Sequence, residues 1–489
     1  MAEDSGATRR LAEWVARTTF DDIPARVVEE AKSQILSVLG AVHAGAATDA
    51  GRAVVATVGE WPGRPEATLI PSGARSSVYN AVYANAALSM ALDYDDYLFA
   101  GHTGHSAVLA SLALAEKLGR GGRDLLTAQV VANEVEGRVG ASVLFGPQNG
   151  QLWTFIHLVG GAVSAAKLAG LDAATTRSAI GIALLQPPYG LWVSFFGSEA
   201  KALMASGPTT AGIQAADLAA HGLAGSPDVI EHPQGFVQAF AHAPLLEAYA
   251  GLGTTWLTET LCYKLYPGCA YLDTAIDCVL SLALAEPIDP ARVTAIEVAA
   301  GPLTLGMEAL SAAHVKGPTS TPVALNFSLP YSVAVALIDH ELTPRQFTRA
   351  RIADPAVWAL AAKVQVTLDE EFAARTRASS LVRMGDGDPR PHLDLATADL
   401  SRHRMSFGAR VRIACDDGRI LEEAEEVPRG GWGRPPAEKR RAAEEKFLRE
   451  ATPALGRTRA AEAVAMIGAL DEADPAALSL LVALVCRPS

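Results

Sequence analysis

Long unbroken apolar runs are missing from this sequence; none approaches the ~20 residues a membrane-spanning helix needs. No membrane span is expected. Basic residues are outnumbered: 41 Lys and Arg face 54 Asp and Glu, for a formal net charge of −13. Such a surface repels polyphosphates and anionic headgroups, which argues against nucleic acid and membrane partners. Cysteine is sparse. Cys262, Cys269, Cys278, Cys415 and Cys486 are odd in number and show no CxxC spacing, so free thiols in a reducing cytoplasm are expected. The acidic, polar opening Met1-Ala2-Glu3-Asp4 lacks the character of a signal peptide. Internal repeats and low-complexity tracts are also absent.

What the sequence has in quantity is alanine and apolar residues, the latter at 49% of 489 residues. Alanine has the highest helix propensity and lets helices pack closely. At roughly 100–200 residues per domain, two or three domains are expected. In the first half, Val27, Val28, Ala31, Ile35 and Leu39 recur at helical spacing after Asp21-Asp22-Ile23-Pro24, with Gly40 near the expected end. Val108, Leu109, Leu112 and Leu118 form a second stripe closed by Gly119. Asp124 is a cap candidate for a third helix carrying a Glu134–Arg138 pair at i,i+4.

The texture changes near Lys264. Asp273 to Ala285 still reads as helix. Val293-Thr-Ala-Ile-Glu-Val-Ala, Val364-Gln-Val-Thr-Leu and Val411-Arg-Ile-Ala-Cys alternate with period two, and Asp416-Asp417-Gly418 is a hairpin signal before Ile420. Gly430 to Ala437 (GGWGRPPA) is the best linker candidate. The expected fold is mainly α with an α+β second domain. Residues 1–262 form the first part of a helical domain, 263–431 an α+β domain, and 432–489 helices returning to the first.

The segment richest in chemistry runs from Asp93-Tyr-Asp-Asp96 through Tyr97 to Gly101-His-Thr-Gly-His105. A carboxylate can fix an imidazole in one tautomer, and that imidazole then exchanges protons near neutral pH. Asp93, His102 and His105 are the acid/base candidates. A metal site is the alternative use of His102 and His105, but Thr103 and Gly104 stand where zinc helices carry a glutamate. Asp93-x-Asp-Asp also spells a terpene-cyclase acid motif; with aromatics at only 6%, a ring-lined pocket is not expected. Lys201, in Gly197-Ser-Glu-Ala-Lys201, and Lys264, in Lys264-Leu-Tyr-Pro-Gly-Cys269, are candidate carboxylate binders. Each is flanked by small or chain-breaking residues.

Taken in order, these segments resemble the MmgE/PrpD family. Ile23-Pro24 with the stretch to Gly40 is similar to its opening helices, and Asp93–Asp96 with the histidines to its acidic loop. Gly197–Lys201, Gln234-Gly-Phe236, Lys264–Cys269, Asn326-Phe-Ser-Leu-Pro-Tyr331 and Lys446-Phe447 resemble further family segments. The resemblance implies a large all-helical domain built from both chain ends, an inserted α+β lid, and an active site between them. It also implies a homodimer with no metal or organic cofactor, acting on a small carboxylate substrate. The implied chemistry is that of a lyase or isomerase moving a proton beside a carboxylate, dehydratase-like first, with decarboxylation or epimerisation as family alternatives. A catalytically inactive binding protein and a metal-dependent hydrolase remain open. Lys201 and Lys264 would bind the carboxylate, His102 or His105 would be the acid/base, and Asp93 would hold the loop or the imidazole. Ser198, Tyr97 and Asp273 would contact substrate.

The departures bear on selectivity. Tricarboxylate-handling members carry Thr where Tyr97 stands, a His-Pro-Thr segment near Leu152-Trp-Thr154, and a histidine at the place of Asp273. A bulkier tyrosine and an anion at 273 imply a smaller or less charged substrate. Which of His102 and His105 acts stays open at this level.

Overall fold

The structure is a computed structural model and describes residues 6–148, 150–385 and 388–488. The fold is mainly α with a small sheet. In the first half, α1 (Ala25–Ala46), α2 (Val78–Met90), α3 (Gly104–Leu118), α4 (Gly122–Ser142), α5 (Thr154–Ala169) and α6 (Ser206–Ala220) pack on one another. Their interiors, rich in Ala and Val, share one continuous core. No helix among the described residues is long and apolar enough to cross a membrane. All five cysteines are free and buried.

Two expected boundaries move. Gly40 does not end α1, which continues to Ala46. A Cβ at Gly40 would stand 3.3 Å from Lys446 Cγ and Phe447 Cα. The glycine therefore serves close approach of a late helix. Asp124 lies in the first turn of α4, whose cap position is Gly121. Glu134 and Arg138 do pair, at 3.4 Å, but fully buried. Glu134 accepts the backbone N–H groups of Leu257 and Thr258, and Arg138 donates to four carbonyls between Ala248 and Thr255. The pair clamps the chain just before it enters the second half.

That entry is made by two short strands. β1 (Asp96–Tyr97) pairs antiparallel with β2 (Cys262–Tyr263), Asp96 opposite Tyr263 and Tyr97 opposite Cys262. The next helix, α7 (Asp273–Ala285), leads to β3 (Val293–Ala300). Helix α8 (Leu329–Asp339) starts where the Ser328 hydroxyl accepts the N–H of Tyr331 and Pro330 occupies the first turn. β4 (Val364–Leu368), β5 (Ala409–Cys415) and β6 (Ile420–Glu425) complete a four-stranded sheet in the order β6-β5-β3-β4. β3 and β4 run parallel, joined by a crossover that contains α8; the other pairs are antiparallel. The three expected strands and the hairpin at Asp416–Gly418 are all present. Ile296, Val298, Val411 and Ile413 pack with α7 and α8 in a second core.

The GGWGRPPA stretch is no loose linker. Gly430 accepts the N–H of Tyr263, and a Cβ there would overlap the Tyr263 carbonyl. Trp432 is buried and its N–H donates to Cys262 Sγ at 3.0 Å. Helix α9 (Pro436–Leu455) follows and lies along α1 at Gly40.

Candidate active site

Strand pairing β1–β2 decides the site. It sets the acidic segment beside the chain that continues into Lys264, two motifs nearly 170 residues apart in sequence (|i−j| = 169 for Asp95 and Lys264). Asp93 takes φ = +53°, unusual for a residue with a Cβ but tolerated best by Asp and Asn. Its backbone is held by the Met90 carbonyl, and its own carbonyl accepts Lys264 Nζ at 2.9 Å. This turn aims the Asp93 and Asp95 carboxylates at one ammonium.

Lys264 Nζ donates to Asp93 O (2.9 Å), Asp93 Oδ1 (2.9 Å) and Asp95 Oδ1 (2.8 Å). A lysine has three donors, so all are committed. Burial works against its charge, but the two carboxylates outweigh burial and raise its pKa. Burial likewise pushes the carboxyls up. For Asp93, Lys201 and Lys264 win and hold it below the usual range; for Asp95, Lys264, His102 and His105 hold it well below. Both acids are therefore anionic near neutral pH. A terpene-cyclase acid motif would need a protonated donor here, so this arrangement argues against that reading.

Asp95 is the hub. Its Oδ1 also accepts Gln151 Nε2 at 3.0 Å, and its Oδ2 lies 2.6 Å from His102 Nδ1 and 3.0 Å from His105 Nε2. The two histidines differ in access. The His102 side chain is 15% exposed and lines a cavity; that of His105 is fully buried and does not. His105 Nδ1 meets Ser89 Oγ at 2.7 Å instead.

Behind them lies a buried polar layer. Asp96 Oδ2 accepts Gln34 Nε2 at 2.7 Å, and Gln34 and Asn133 bracket Thr103. Ser106 joins Glu136 Oε2 (2.6 Å) to His157 Nδ1 (2.7 Å), and the His157 ring meets that of His105 edge-on at 5.7 Å. Burial raises Glu136 well above the carboxylate range and drops His157 well below the imidazole range. Both are neutral. Lys446 also sits here, donating to Ser37 Oγ and the Tyr94 carbonyl, with burial lowering its pKa to about 7.

The cavity has a volume of about 250 Å³ and is bordered by Asp93, Tyr97, His102, Gln151 and Lys264 among the sequence-visible or polar groups. The rest is largely ring and thioether. Trp153, Trp192, Phe195, Tyr271, Phe327 and Phe407 all line it. Aromatics are few in the chain but concentrated on this wall, contrary to the expectation drawn from composition. Tyr97 and Trp153 narrow the cavity without filling it.

The remaining candidates divide. Lys201 is buried, 3.3 Å from Asp93 Oδ2, and its Nζ lies 4.9 and 4.6 Å from the Phe195 and Phe327 ring centres. It has no hydrogen-bond partner, and it lines a neighbouring cavity with Tyr189, Leu191 and Met204 instead of the one bordered by His102 and Lys264. Ser198 does not line the cavity; its Oγ caps the short helix Glu199–Leu203 by accepting the N–H of Ala200. Asp273 is not a lining residue either. It is buried in the first turn of α7, where burial and Asp277 push its carboxyl well above the usual range. The expected anion that repels substrate is instead a neutral acid behind the wall. Sequence reasoning passed over Asp95 and Gln151. Asp95 was visible within the quoted motif, but only strand pairing singles it out; Gln151 stands in a loop with no motif. Among the described residues, no group of three or more His, Cys, Asp or Glu is arranged to hold a metal ion.

Two domain families cover this architecture. Residues 9–248 match the MmgE/PrpD N-terminal domain, and residues 266–472 match the MmgE/PrpD C-terminal domain. The chain belongs to the MmgE/PrpD family. As an MmgE/PrpD protein it is 25% identical over 448 residues to the cis-aconitate decarboxylase of Aspergillus terreus, covering 87% of this chain and 86% of that one. It is 24% identical over 450 residues to a cis-aconitate decarboxylase-like protein, oryM, of Aspergillus oryzae, covering 87% of each. To the cis-aconitate decarboxylase of Homo sapiens it is 28% identical over 278 residues, 51% of this chain and 53% of that protein. The cavity of this MmgE/PrpD chain falls where residues of both matched domains meet, Asp93 and Trp153 from one, Phe327 and Phe407 from the other.

Proposed function

We propose that this protein is a lyase of the dehydratase or decarboxylase type. It acts on a small carboxylic acid by proton transfer at the carbon next to the carboxylate, with His102 as the acid/base. The observation that carries this reading is the Lys264–Asp95–His102 chain. Asp95 engages His102 Nδ1, which leaves Nε2 as the nitrogen available to the cavity. An imidazole fixed in one tautomer by a buried carboxylate can serve as a general base or acid. Lys264, saturated by Asp93 and Asp95, keeps Asp95 ionised and in place. Lys201 has unused donors and supplies positive charge for the carboxylate as it develops enediolate character.

In a dehydration, the C–H bond beside the carboxylate breaks and its proton passes to His102 Nε2. The electron pair forms the C=C bond as the β C–O bond breaks, and the hydroxyl leaves as water on taking the proton now held by His102, which returns to its neutral form. In a decarboxylation, the C–C bond to the lost carboxylate breaks, CO₂ departs, and His102 returns a proton to the carbanionic carbon. Both use the same imidazole and the same cation: His102 starts neutral and acts as base in the dehydration, and starts protonated and acts as acid in the decarboxylation. The names of the Aspergillus and human relatives favour these two outcomes over epimerisation.

In this reading residues 263–431 act as a lid on a helical body made from both chain ends. The lie of α9 along α1 supports it, as do Leu303, Met307, Phe327 and Phe407 on the cavity wall. The protein is proposed to be a cytoplasmic homodimer. The exposed Leu185, Tyr189, Leu191 and Val193 offer one apolar stretch for a partner copy. Sedimentation equilibrium at twice the chain mass tests the dimer. The reaction is tested by NMR in deuterated water over a panel of hydroxy- and unsaturated acids: substrate-dependent deuterium incorporation or product formation is expected, and none with any acid overturns the proposal.

A further inference from the structure

The polar inventory of the cavity is small and already balanced. Two buried carboxylates, Asp93 and Asp95, face two buried ammoniums, Lys201 and Lys264. Among the described residues no arginine lines the cavity, and Lys264 is the only lysine that does, with every donor engaged. The cationic capacity left over is His102 when protonated and Lys201, which makes no hydrogen bond but is ion-paired to Asp93 at 3.3 Å and lines the neighbouring cavity, not this one. A buried ammonium whose N–H donors make no hydrogen bond is an exception that asks for an acceptor. A single carboxylate satisfies it. A second and third carboxylate on the same substrate would lie against hydrocarbon without counter-charge, which is strongly disfavoured.

The rest of the wall says what the remainder of the substrate is. Trp192, Phe195 and Phe327 form one ring group, with centroids 6.2 Å apart for Trp192–Phe195 and 5.2 Å for Phe195–Phe327. It borders Lys201. Tyr97, Tyr271 and Phe407 form a second, at 6.1 Å for Tyr97–Phe407 and 4.6 Å for Tyr271–Phe407. It borders His102, whose ring lies 5.8 Å from that of Tyr97. Leu303, Met307 and Met405 add to the apolar lining. Rings that line a small cavity with few polar groups recognise an apolar body.

Building on the lyase reading, we infer that the substrate is a monocarboxylic acid with an apolar body, aromatic or branched-alkyl, bearing its reactive carbon between Lys201 and His102. A tricarboxylate is excluded by charge.

The test uses the intact protein and three probes: trans-cinnamate, 4-methyl-2-pentenoate and cis-aconitate. Isothermal titration calorimetry measures binding, and NMR in deuterated water follows the same samples for exchange or turnover. At least one of the first two acids is expected to bind tenfold or more tightly than cis-aconitate. Trp192→Leu and Phe407→Leu are expected to weaken it at least fivefold while each variant keeps the wild-type melting temperature within a few degrees. A dominant effect of Phe407→Leu on cinnamate alone identifies the aromatic body; equal effects on both acids identify the branched one. Cis-aconitate binding as tightly as either apolar acid overturns the inference, and so does the absence of saturable binding by both. Tight apolar-acid binding without proton exchange or turnover of any panel acid sustains the inference while sinking the lyase reading. Turnover of cis-aconitate with no apolar-acid binding does the reverse.

Discussion

Asp95 Oδ2 lies 2.6 Å from His102 Nδ1, while the other oxygen of the same carboxylate accepts a hydrogen bond from Lys264 Nζ at 2.8 Å. One buried acid thus couples the cavity imidazole to a fixed positive charge. Asp95 is a positioning residue in this account. Asp95→Asn keeps the shape, but removes the charge and offers an amide to one of its donors. A loss of ~10²–10⁴-fold in kcat with little change in KM is expected. The pH profile should change too, because the imidazole loses its anionic neighbour. A merely structural Asp95 would instead lower the melting temperature and leave the kinetics of the folded fraction unchanged.

Lys201 is buried against Asp93 with its donors unspent. Lys201→Met preserves the length and the contacts with Phe195 and Phe327. Steady-state kinetics on the identified substrate should show kcat/KM reduced ~10²–10³-fold. An unchanged kcat/KM would make Lys201 a counter-ion for Asp93 and nothing more.

His43 is buried against Phe447, with ring centres 6.2 Å apart, and burial lowers its pKa to about 4. Its unfolded value is near 6.5. Between these pH values the unfolded chain binds a proton that the folded chain does not, so stability falls as pH drops from about 6.5 to about 4. The full penalty is roughly 3 kcal/mol. Urea midpoints measured across this range should decline for the wild type and decline less for His43→Leu. Parallel pH curves for the two would show that His43 does not cause the slope.

Gly104 opens α3 directly against Asp96, and a Cβ there would overlap both Asp96 Oδ1 and Val38 Cγ2. Gly104→Ala should destabilise the fold by about 1–3 kcal/mol. The displaced Asp96 segment should also lower activity in the fraction that folds. Wild-type thermal stability for this variant would show that the segment yields freely.

Much of this was legible before any coordinates. The Asp416-Asp417-Gly418 hairpin, the alternating strands and the paired Glu134 and Arg138 follow from local periodicity and turn chemistry. So did the nearness of Asp93, Lys201 and Lys264, though only through resemblance to a family. What escaped depends on contacts between distant segments. Nothing local distinguishes a glycine that ends a helix from Gly40, which admits Lys446 and Phe447. Nor does a low aromatic percentage reveal that Trp192, Phe327 and Phe407 share one wall. Asp273 looked like a charge because its burial could not be seen; in place, that burial neutralises it. Asp95 emerged only when strand β2 brought Lys264 alongside it.

The most direct test of the central claim is turnover by His102→Ala on the first acid that the wild type is found to convert, with deuterium incorporation followed in the same tube. The account predicts at least a hundredfold fall in both rates, with a circular dichroism spectrum like that of the wild type, because His102 stands at the cavity edge and not in the core. Wild-type rates of conversion and exchange in His102→Ala would contradict it.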